Sequence, residues 1–382
     1  MKATVHNPLL PAWCKWSVVA LAIGLSACSF GSKKPEPAPL LAVTAQIPAK
    51  QVWRTQIGDV SPLLTPTVKG NALFVANAAG TVFQLNTDTG RQSWRLDLGV
   101  PLAAGVGSDG ETAAVVTRDN ELVAVAAGKE VWRTRIPARV FTTPLVAGQR
   151  VFVLAADRSV HAFDGKTGAR LWSQPSRGGD ALVLQQAGVL LAVGDTLITG
   201  NGGRLTGINP SNGSQRWSAA IANPRGTNEV ERLVDLVGHV GRVDDTVCAR
   251  AFQSAVGCVD AARGVLLWAK PGVGGVGVHA DEDQMYGIEG NDRVVAWKRS
   301  SGEQVWSNEK FSYRGLTAPL AAGRSIAIGD AQGYVHLLSR TDGNLLNRLT
   351  TDGSAVVYAP VLAGRTLVAV TREGGVFGWR PE

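Results

Sequence analysis

Residues 143–173 read TPLVAGQRVFVLAADRSVHAFDGKTGARLWS. This stretch holds four short apolar runs, in TPLVAG, RVFVLAAD, SVHAFD and ARLWS, with turn residues between them. Runs of this length bounded by Gly and Asp predict four β-strands. Glycine in the KTG turn supplies the positive φ that a tight reversal needs. Four strands in about 40 residues make one blade of a β-propeller.

Tryptophan recurs with the period of such a blade. The spacings between successive members of the series are 41, 38, 40, 45, 51 and 38 residues, and a glycine lies four residues before each member from the second onward. Asn347, preceded by Gly343, continues the series as a degenerate eighth copy. An indole on the outermost strand fills the gap between wedge-shaped blades, and its buried N–H needs a partner in the neighbouring blade. We therefore predict structural docking, and not a ligand platform, for Trp53, Trp94, Trp132, Trp172, Trp217, Trp268 and Trp306.

The repeat predicts an all-β, eight-bladed propeller with four-stranded blades over residues 51–382. The first copy, QVWRT at residues 51–55, has no blade before it, and the last copy ends at Arg380 before a fourth strand. We expect the N-terminal strand to complete the last blade. That pairing closes the ring and removes the exposed edges of an open sheet.

The N-terminus has the features of a lipoprotein signal peptide. Residues 1–27 lack Asp and Glu, place two lysines before an apolar run, and end in small residues. The run is too short to span a membrane. LSAC at residues 25–28 resembles the bacterial lipobox, which implies acylation of Cys28 and, with Ser29 next, sorting to the outer membrane. An ordinary cleavable signal with a chance cysteine is the alternative.

Residues 28–50 hold four prolines among small and polar residues, which predicts a flexible tether between the acylated cysteine and the propeller. Formal charge is +7, and loss of Lys2 and Lys15 with the signal leaves about +5, with no basic run or stripe. Nucleic acid is therefore a poor candidate partner. Cys248 and Cys258 remain as thiols, ten residues apart across a predicted hairpin. A periplasmic disulfide and two buried structural cysteines both stay open, because the turn does not fix the register.

The segment AFDGKTGARLW at residues 162–172 resembles the tryptophan-docking repeat of the pyrroloquinoline-quinone propeller superfamily. This resemblance implies a fold and not a function. Two of its groups differ widely in function: the quinoprotein dehydrogenases, and the BamB family of outer-membrane assembly lipoproteins. A dehydrogenase implies a quinone cofactor, a calcium ion, an Asp base and, in several members, adjacent cysteines.

The sequence carries little of that chemistry. It has no adjacent cysteines, and His161 and His336 occupy equivalent blade positions, which favours a shared structural role. The acidic run Asp281, Glu282 and Asp283 lacks EF-hand spacing and is interpreted as a solvated loop. We therefore expect no enzyme activity, no catalytic residue, no cofactor and no metal site. A quinone-dependent periplasmic dehydrogenase or a ligand-binding propeller is the alternative function.

The BamB resemblance covers essentially the whole mature chain, and the two longest repeats carry its specific matches. Their extra residues must be loops, because the blade core has fixed length. LVL at residues 182–184 is similar to the family's LxLR segment, with Gln185 where the family often has Arg. NEVERLVDLV at residues 228–237 resembles the family's E-(I/V)-(D/E)-R-L-x-D-(I/V)-D stretch, with Val237 in place of the final Asp.

The resemblance implies contact with BamA, the central barrel-forming subunit, through a POTRA domain. The predicted partner-binding residues are Leu182, Leu184, Gln185, Glu231, Arg232 and Asp235. Apolar anchors with a polar rim have the makeup of a small interface. The alternative is blade packing for the leucines and solvated loop charges for the rest. The whole chain is thus expected to be a non-catalytic scaffold of the Bam complex, lipid-anchored in the outer membrane and facing the periplasm, which assists insertion of nascent outer-membrane proteins.

Overall fold

The described chain forms thirty-two β-strands in eight four-stranded antiparallel sheets. The computed structural model describes residues 3, 35–175 and 182–381. The sheets are the blades of a propeller, because the first strands of neighbouring blades contact one another around a common axis. From this inner strand, each of blades 1–7 runs outward in chain order to an outer strand at the rim. The prediction of an all-β, eight-bladed propeller is confirmed.

Blade 1 consists of β2 Thr67–Lys69, β3 Ala72–Ala76, β4 Thr81–Asn86 and β5 Gln92–Asp97, and blade 2 of β6 Gly107–Ser108, β7 Thr112–Val116, β8 Glu121–Ala126 and β9 Lys129–Arg135. Blade 3 consists of β10 Leu145–Ala147, β11 Arg150–Leu154, β12 Val160–Asp164 and β13 Arg170–Gln174, and blade 4 of β14 Leu190–Val193, β15 Thr196–Asn201, β16 Arg204–Ile208 and β17 Gln215–Ala220. Blade 5 consists of β18 Leu236–Val243, β19 Thr246–Ala251, β20 Ala255–Asp260 and β21 Val265–Pro271, and blade 6 of β22 Val278–Ala280, β23 Gln284–Glu289, β24 Arg293–Lys298 and β25 Gln304–Asn308. Blade 7 consists of β26 Leu320–Ala322, β27 Ser325–Gly329, β28 Tyr334–Ser339 and β29 Leu345–Thr350. Blade 8 consists of β30 Val361–Ala363, β31 Thr366–Val370, β32 Gly375–Pro381 and, from the N-terminus, β1 Ala49–Gln56. A single 3₁₀ turn among the described residues, Gly290–Asp292, joins β23 to β24.

The ring closes through the N-terminal strand, as predicted. Strand β1 pairs antiparallel with β32 and becomes the outer strand of blade 8, with Trp53 opposite Gly378. The strand begins at Ala49, two residues before the predicted start of the propeller. Closure pairs the two ends of the propeller chain, so blade 8 forms only when both ends are present.

The tryptophans dock each blade onto the next. A Cβ at Gly168, whose φ is +71°, would lie 2.6 Å from Cδ2 of Trp132. Trp132 Nε1 also donates to the Gly165 carbonyl, at 2.9 Å. The same donation to a carbonyl of the following blade is made by Trp53, Trp172, Trp268 and Trp306. Trp217 Nε1 is buried without a hydrogen-bond partner among the described residues. The glycine is needed because only a residue without a side chain leaves room for the indole.

Asn347 takes the tryptophan position in blade 7, as the period predicts. Its Nδ2 donates to the Ile47 carbonyl at 2.8 Å, just before β1 enters blade 8. Gly343 packs beneath Trp306 of the preceding blade, since a Cβ there would lie 2.5 Å from the indole. The degenerate copy therefore keeps a hydrogen bond between blades while losing the wedge.

Every outer strand contains a β-bulge just before the docking residue. In blade 3, Trp172 opposes Ala162 and Arg170 opposes Phe163, which leaves Leu171 unpaired. The same shift occurs in each of the other blades. A bulge increases local twist and re-aims the neighbouring side chain. It accounts for the exposure of the unpaired residue and the inward turn of the indole that follows it.

The propeller has two different faces. Because neighbouring strands are antiparallel, the loops from each outer strand to the next inner strand all lie on one side, which we call the connecting-loop face. The hairpin turns between first and second strands, and between third and fourth, lie on the opposite face. Both long insertions in the repeat belong to the connecting-loop face.

Cys248 and Cys258 form a disulfide inside blade 5. They lie directly opposite each other on β19 and β20, with Cα atoms 4.0 Å apart, and both are fully buried. Of the two possibilities left open by the sequence, the structure has the disulfide.

The N-terminal predictions fall largely on residues outside the description. The predicted signal peptide, apart from residue 3, and the predicted acylation site Cys28 lie there. No described helix has the length and apolarity needed to cross a bilayer. From Pro37 onward the chain is part of the unit Pro37–Glu382, and its hydrogen bonds to blade 7 are described below.

Candidate partner-binding site

The two insertions form neighbouring loops on the connecting-loop face. The first, residues 175–189, joins blade 3 to blade 4, and its residues 176–181 are outside the description. The second, residues 221–235, joins blade 4 to blade 5. Just past the second loop, Gly238 N of β18 donates to the Ala187 carbonyl of the first loop at 2.6 Å. Two segments about 50 residues apart in sequence therefore meet at one place on the surface.

Asp235 holds this arrangement together. Its Oδ2 accepts a hydrogen bond from the backbone N–H of Leu184 at 2.9 Å, and its Oδ1 accepts one from Arg158 Nη2 at 3.1 Å. Arg158 Nη2 also donates to the Leu182 carbonyl at 3.3 Å. The two charged side chains are only 13% and 15% exposed, so the bond is less screened than a surface ion pair. Asp235 thus fixes the backbone of the Leu182 and Leu184 segment.

The leucines of the first loop are half-buried. Leu184 lines a cavity of about 50 Å³ together with Leu154 and Leu236, whereas Leu182 does not reach it. Gln185 and Gln186, which follow, are exposed. The leucines combine partial packing with partial exposure, which fits either of the two roles considered from the sequence.

Glu231 and Arg232 lie on the exposed part of the second loop. Glu231 accepts a hydrogen bond from the backbone N–H of Thr227 at 2.9 Å, and this bond is the main cause of the lowered pKa of Glu231. Its own backbone N–H donates to Asn228 Oδ1 at 2.9 Å. Val230, between Glu229 and Glu231, is 72% exposed. The loop is therefore ordered by its own polar groups and presents an apolar residue at its tip.

The two departures from the family pattern face the mouth of the axial channel. Gln185 and Val237 both line a cavity of about 480 Å³ on the connecting-loop face. The remaining lining comes from the direct neighbours of these two residues and from the connecting loops of other blades; it is largely apolar and includes no Asp, Glu, Lys or Arg among the described residues. The cation beside Asp235 comes from Arg158 and not from position 185. The charged pair Arg158 and Asp235 therefore does not line the channel cavity.

The residues weighed for a dehydrogenase take part in local structure. Asp281 accepts a hydrogen bond from the Tyr286 hydroxyl at 2.6 Å and forms an ion pair with Arg340. Burial, reinforced by the bond to Asp281, raises the pKa of Tyr286. His161 is buried between the hydroxyls of Ser159 and Ser173. Within residues 35–175 and 182–381, no cluster of three or more His, Cys, Asp or Glu could hold a metal ion.

Sequence reasoning missed Arg158 and Val230. Arg158 lies in the turn between β11 and β12, in the left-handed region at φ +66°, and is 77 residues from Asp235. Nothing in its local sequence distinguishes it from other turn residues. Val230 had a usable signal, because an apolar residue between two glutamates in an insertion is unusual for a solvated loop.

Comparison with known proteins agrees with this description. The family model described as "Outer membrane protein assembly factor BamB" matches residues 41–101 and 78–308. A protein of that name from Burkholderia pseudomallei is 36% identical over 375 residues, covering 97% of this chain and 97% of its own. The crystal structure of BamB from Moraxella catarrhalis superposes with a TM-score of 0.79 at 24% identity, covering 87% of this chain and 99% of the other.

A quinohemoprotein alcohol dehydrogenase from Comamonas testosteroni also superposes, with a TM-score of 0.67 at 14% identity, over 87% of this chain and 76% of the enzyme. At that identity the likeness shows the propeller fold alone. The family model and the relative from Burkholderia pseudomallei extend over most of the sequence, including both insertions. The chain belongs to the family of the outer membrane protein assembly factor BamB.

Proposed function

We propose that this chain is a non-catalytic, lipid-anchored scaffold of the Bam complex, which docks on a POTRA domain of BamA through its two insertion loops. The Asp235 carboxylate carries the proposal, because it ties the Leu184 backbone to Arg158 of blade 3. A rigid loop loses little conformational entropy on binding, which favours affinity. The relatives named outer membrane protein assembly factor BamB support a role in outer-membrane protein assembly, and that name describes no enzyme.

The proposed interface has apolar and charged parts. Leu182, Leu184 and the exposed Val230 supply apolar contacts, and Glu231 and Arg232 form a polar rim. Well-packed side chains near the centre of an interface carry most of its binding energy, while rim charges mainly affect the association rate. We therefore assign anchoring to the leucines and steering to the rim.

The test is a pull-down of the intact lipoprotein from detergent-solubilised outer membrane, with mass spectrometry of the co-purifying proteins. We expect a POTRA-bearing barrel protein with the wild type and several-fold less with Leu184→Ala. The matched control is Leu362→Ala, which truncates an exposed leucine of blade 8 that lies beyond the proposed site. Equal recovery with both variants would contradict the site, and failure to recover any barrel protein would contradict the scaffold role.

A second proposed partner is the nascent outer-membrane protein itself. Strand β21 is the last strand of its sheet, and Val265, Leu266 and Leu267 are all more than a third exposed on it. An extended polypeptide could add to such an edge by backbone hydrogen bonds, which tolerate many sequences. Binding of an unfolded outer-membrane polypeptide should weaken in Leu266→Lys, because charge on an edge strand discourages pairing. Absence of binding to the wild type would contradict this role.

A further inference from the structure

The N-terminal segment before β1 lies along the rim of blade 7. Gln46 N donates to the Leu346 carbonyl at 2.9 Å, and Arg348 Nη2 donates to the Leu41 carbonyl at 2.8 Å. Together with the Asn347 bond to Ile47, these contacts follow the outer strand β29 from its start towards its end. We call residues 38–47 the strap.

The far end of the strap is bound by a buried charged group. Ala38 N donates to the Ser312 carbonyl and Ala38 O accepts from Arg314 Nη1, both at 2.8 Å. Arg314 is 2% exposed, and its Nε and Nη2 donate to Asp330, which is fully buried. Buried donors are almost always paired. The strap carbonyl thus accepts a bond from the third nitrogen of a guanidinium that Asp330 and Gln332 of blade 7 already hold in place.

The two ends of the strap lie on different faces of the propeller. Ile47 lies beside Gly323 and Arg340, at hairpin turns of the opposite face. Ala38 lies beside Ser312 and Arg314 in the loop from blade 6 to blade 7, on the connecting-loop face. The strap therefore crosses the full height of the rim. Traced back towards the N-terminus, the chain leaves the propeller on the face that carries Asp235.

We propose that the strap delivers the lipidated end at the connecting-loop face, so that the partner-binding face of the anchored protein is turned towards the membrane. This rests on the proposed lipid anchor at Cys28. Cys28 and Pro37 are nine residues apart, which gives a reach of about 30 Å at ~3.1 Å per residue. Cys28 and Lys50 are 22 residues apart, so a fully free tether would reach about 70 Å at ~3.1 Å per residue and would leave the orientation unset.

Hydrogen exchange tests the docking of the strap in the full acylated protein bound to phosphatidylethanolamine and phosphatidylglycerol vesicles. We expect the Ala38 and Gln46 amides to exchange at least tenfold more slowly than in an unstructured peptide of the same sequence. Arg348→Ala should speed exchange in the strap, whereas Arg263→Ala, an exposed arginine of blade 5, should leave it unchanged. Strap amides that exchange at the peptide rate in the wild type would overturn the proposal.

Energy transfer tests the orientation. A donor fluorophore is attached through Lys310→Cys on the connecting-loop face or Thr341→Cys on the opposite face, with acceptors on the lipid headgroups. Both native residues are exposed, and the disulfide between Cys248 and Cys258 leaves no other reactive thiol in the propeller. The outer strand of blade 7 is six residues long, so the probes differ in height by about 20 Å.

We expect several-fold more efficient transfer from position 310 than from position 341. Equal or reversed efficiencies would overturn the orientation. Capture of a barrel protein with reversed efficiencies would overturn the orientation alone and leave the scaffold role standing. Vesicle binding that persists in Cys28→Ala would overturn the lipid anchor, and the orientation with it.

Discussion

Replacing Asp235 by Asn tests the proposed site most directly. The carboxylate accepts one bond from Arg158 and one from the Leu184 N–H. An amide has one oxygen, so its NH₂ group must face one of these two donors. Losing a hydrogen bond to a charged group costs about 1.5–3 kcal/mol. If binding requires the loop in its present conformation, a loss of about 2 kcal/mol weakens the affinity for a POTRA fragment of BamA roughly 30-fold.

The assay is titration calorimetry of the purified propeller with that fragment at fixed salt. Asp109→Asn is the matched control, because its carboxylate also accepts two hydrogen bonds, from the backbone of Glu111 and Thr112, in a turn on the opposite face. It should bind like the wild type. A double-mutant cycle with Arg158→Ala and Asp235→Ala should give coupling of about 1–2 kcal/mol, since both changes remove the same contact.

An Asp235→Asn affinity within twofold of the wild type, with an unchanged urea midpoint, would exclude the proposed role of the carboxylate. An equal loss in the Asp109 control would also refute it, because the effect would then be general to the fold. Additive losses in the cycle would show that the ion pair does not shape the binding surface.

Three further predictions concern the stability of the propeller. Deleting residues 51–56 should lower the thermal midpoint markedly, because blade 8 loses its outer strand, and an unchanged midpoint would exclude closure by β1. Reduction of the disulfide between Cys248 and Cys258 should cost about 2.7 kcal/mol in urea unfolding, as expected for a cross-link between residues ten apart; equal stability of oxidised and reduced protein would show that the hairpin already persists in the unfolded chain. Burial, with a smaller contribution from neighbouring His239, lowers the pKa of His279 to about 3. Neutral His279 therefore contributes fully to folding stability above pH 6.5, and this contribution is lost as pH falls towards 3, because the unfolded chain takes up the proton first. His279→Gln should flatten this acid decline between pH 6.5 and 4, and parallel pH profiles would argue against the assignment.

The fold could be predicted because its determinants recur in sequence. A glycine four residues before a tryptophan encodes a turn and a contact between blades, and six copies make the period unmistakable. Even the degenerate copy at Asn347 was found from its place in the series. Closure of the ring could be predicted because the last blade lacks a fourth strand at the C-terminus, while the N-terminus has one strand more than its first blade needs. Each of these signals is local or periodic.

The site could be predicted only in part, because it depends on contacts between distant residues. Loop length located both insertions, and the family resemblance selected Asp235. The Arg158 partner has no local signature, since an arginine in a turn is common and its use is decided 77 residues away. The BamA contacts of all six residues stay predictions: Leu182, Leu184, Gln185, Glu231, Arg232 and Asp235.

The strap and the disulfide show two further limits of sequence reasoning. Proline-rich sequence predicted a free tether over residues 28–50, but the hydrogen bonds of residues 38–47 depend on carbonyls and donors of blade 7 that only the fold brings near. The disulfide required the register of β19 and β20, which the turn residues alone did not specify.

If the chain is exported as proposed, the pairing of β1 with β32 limits the order in which its strands can pair. The strand that then enters the periplasm first is the last to find its partner, because Gly375–Pro381 must emerge before β1 can pair. Contacts between such distant residues form slowly. If Cys28 is acylated as proposed, the lipid is attached to the chain while β1 is still unpaired. A chain stalled late in export would therefore be anchored to the membrane with seven blades formed and an open edge on the eighth.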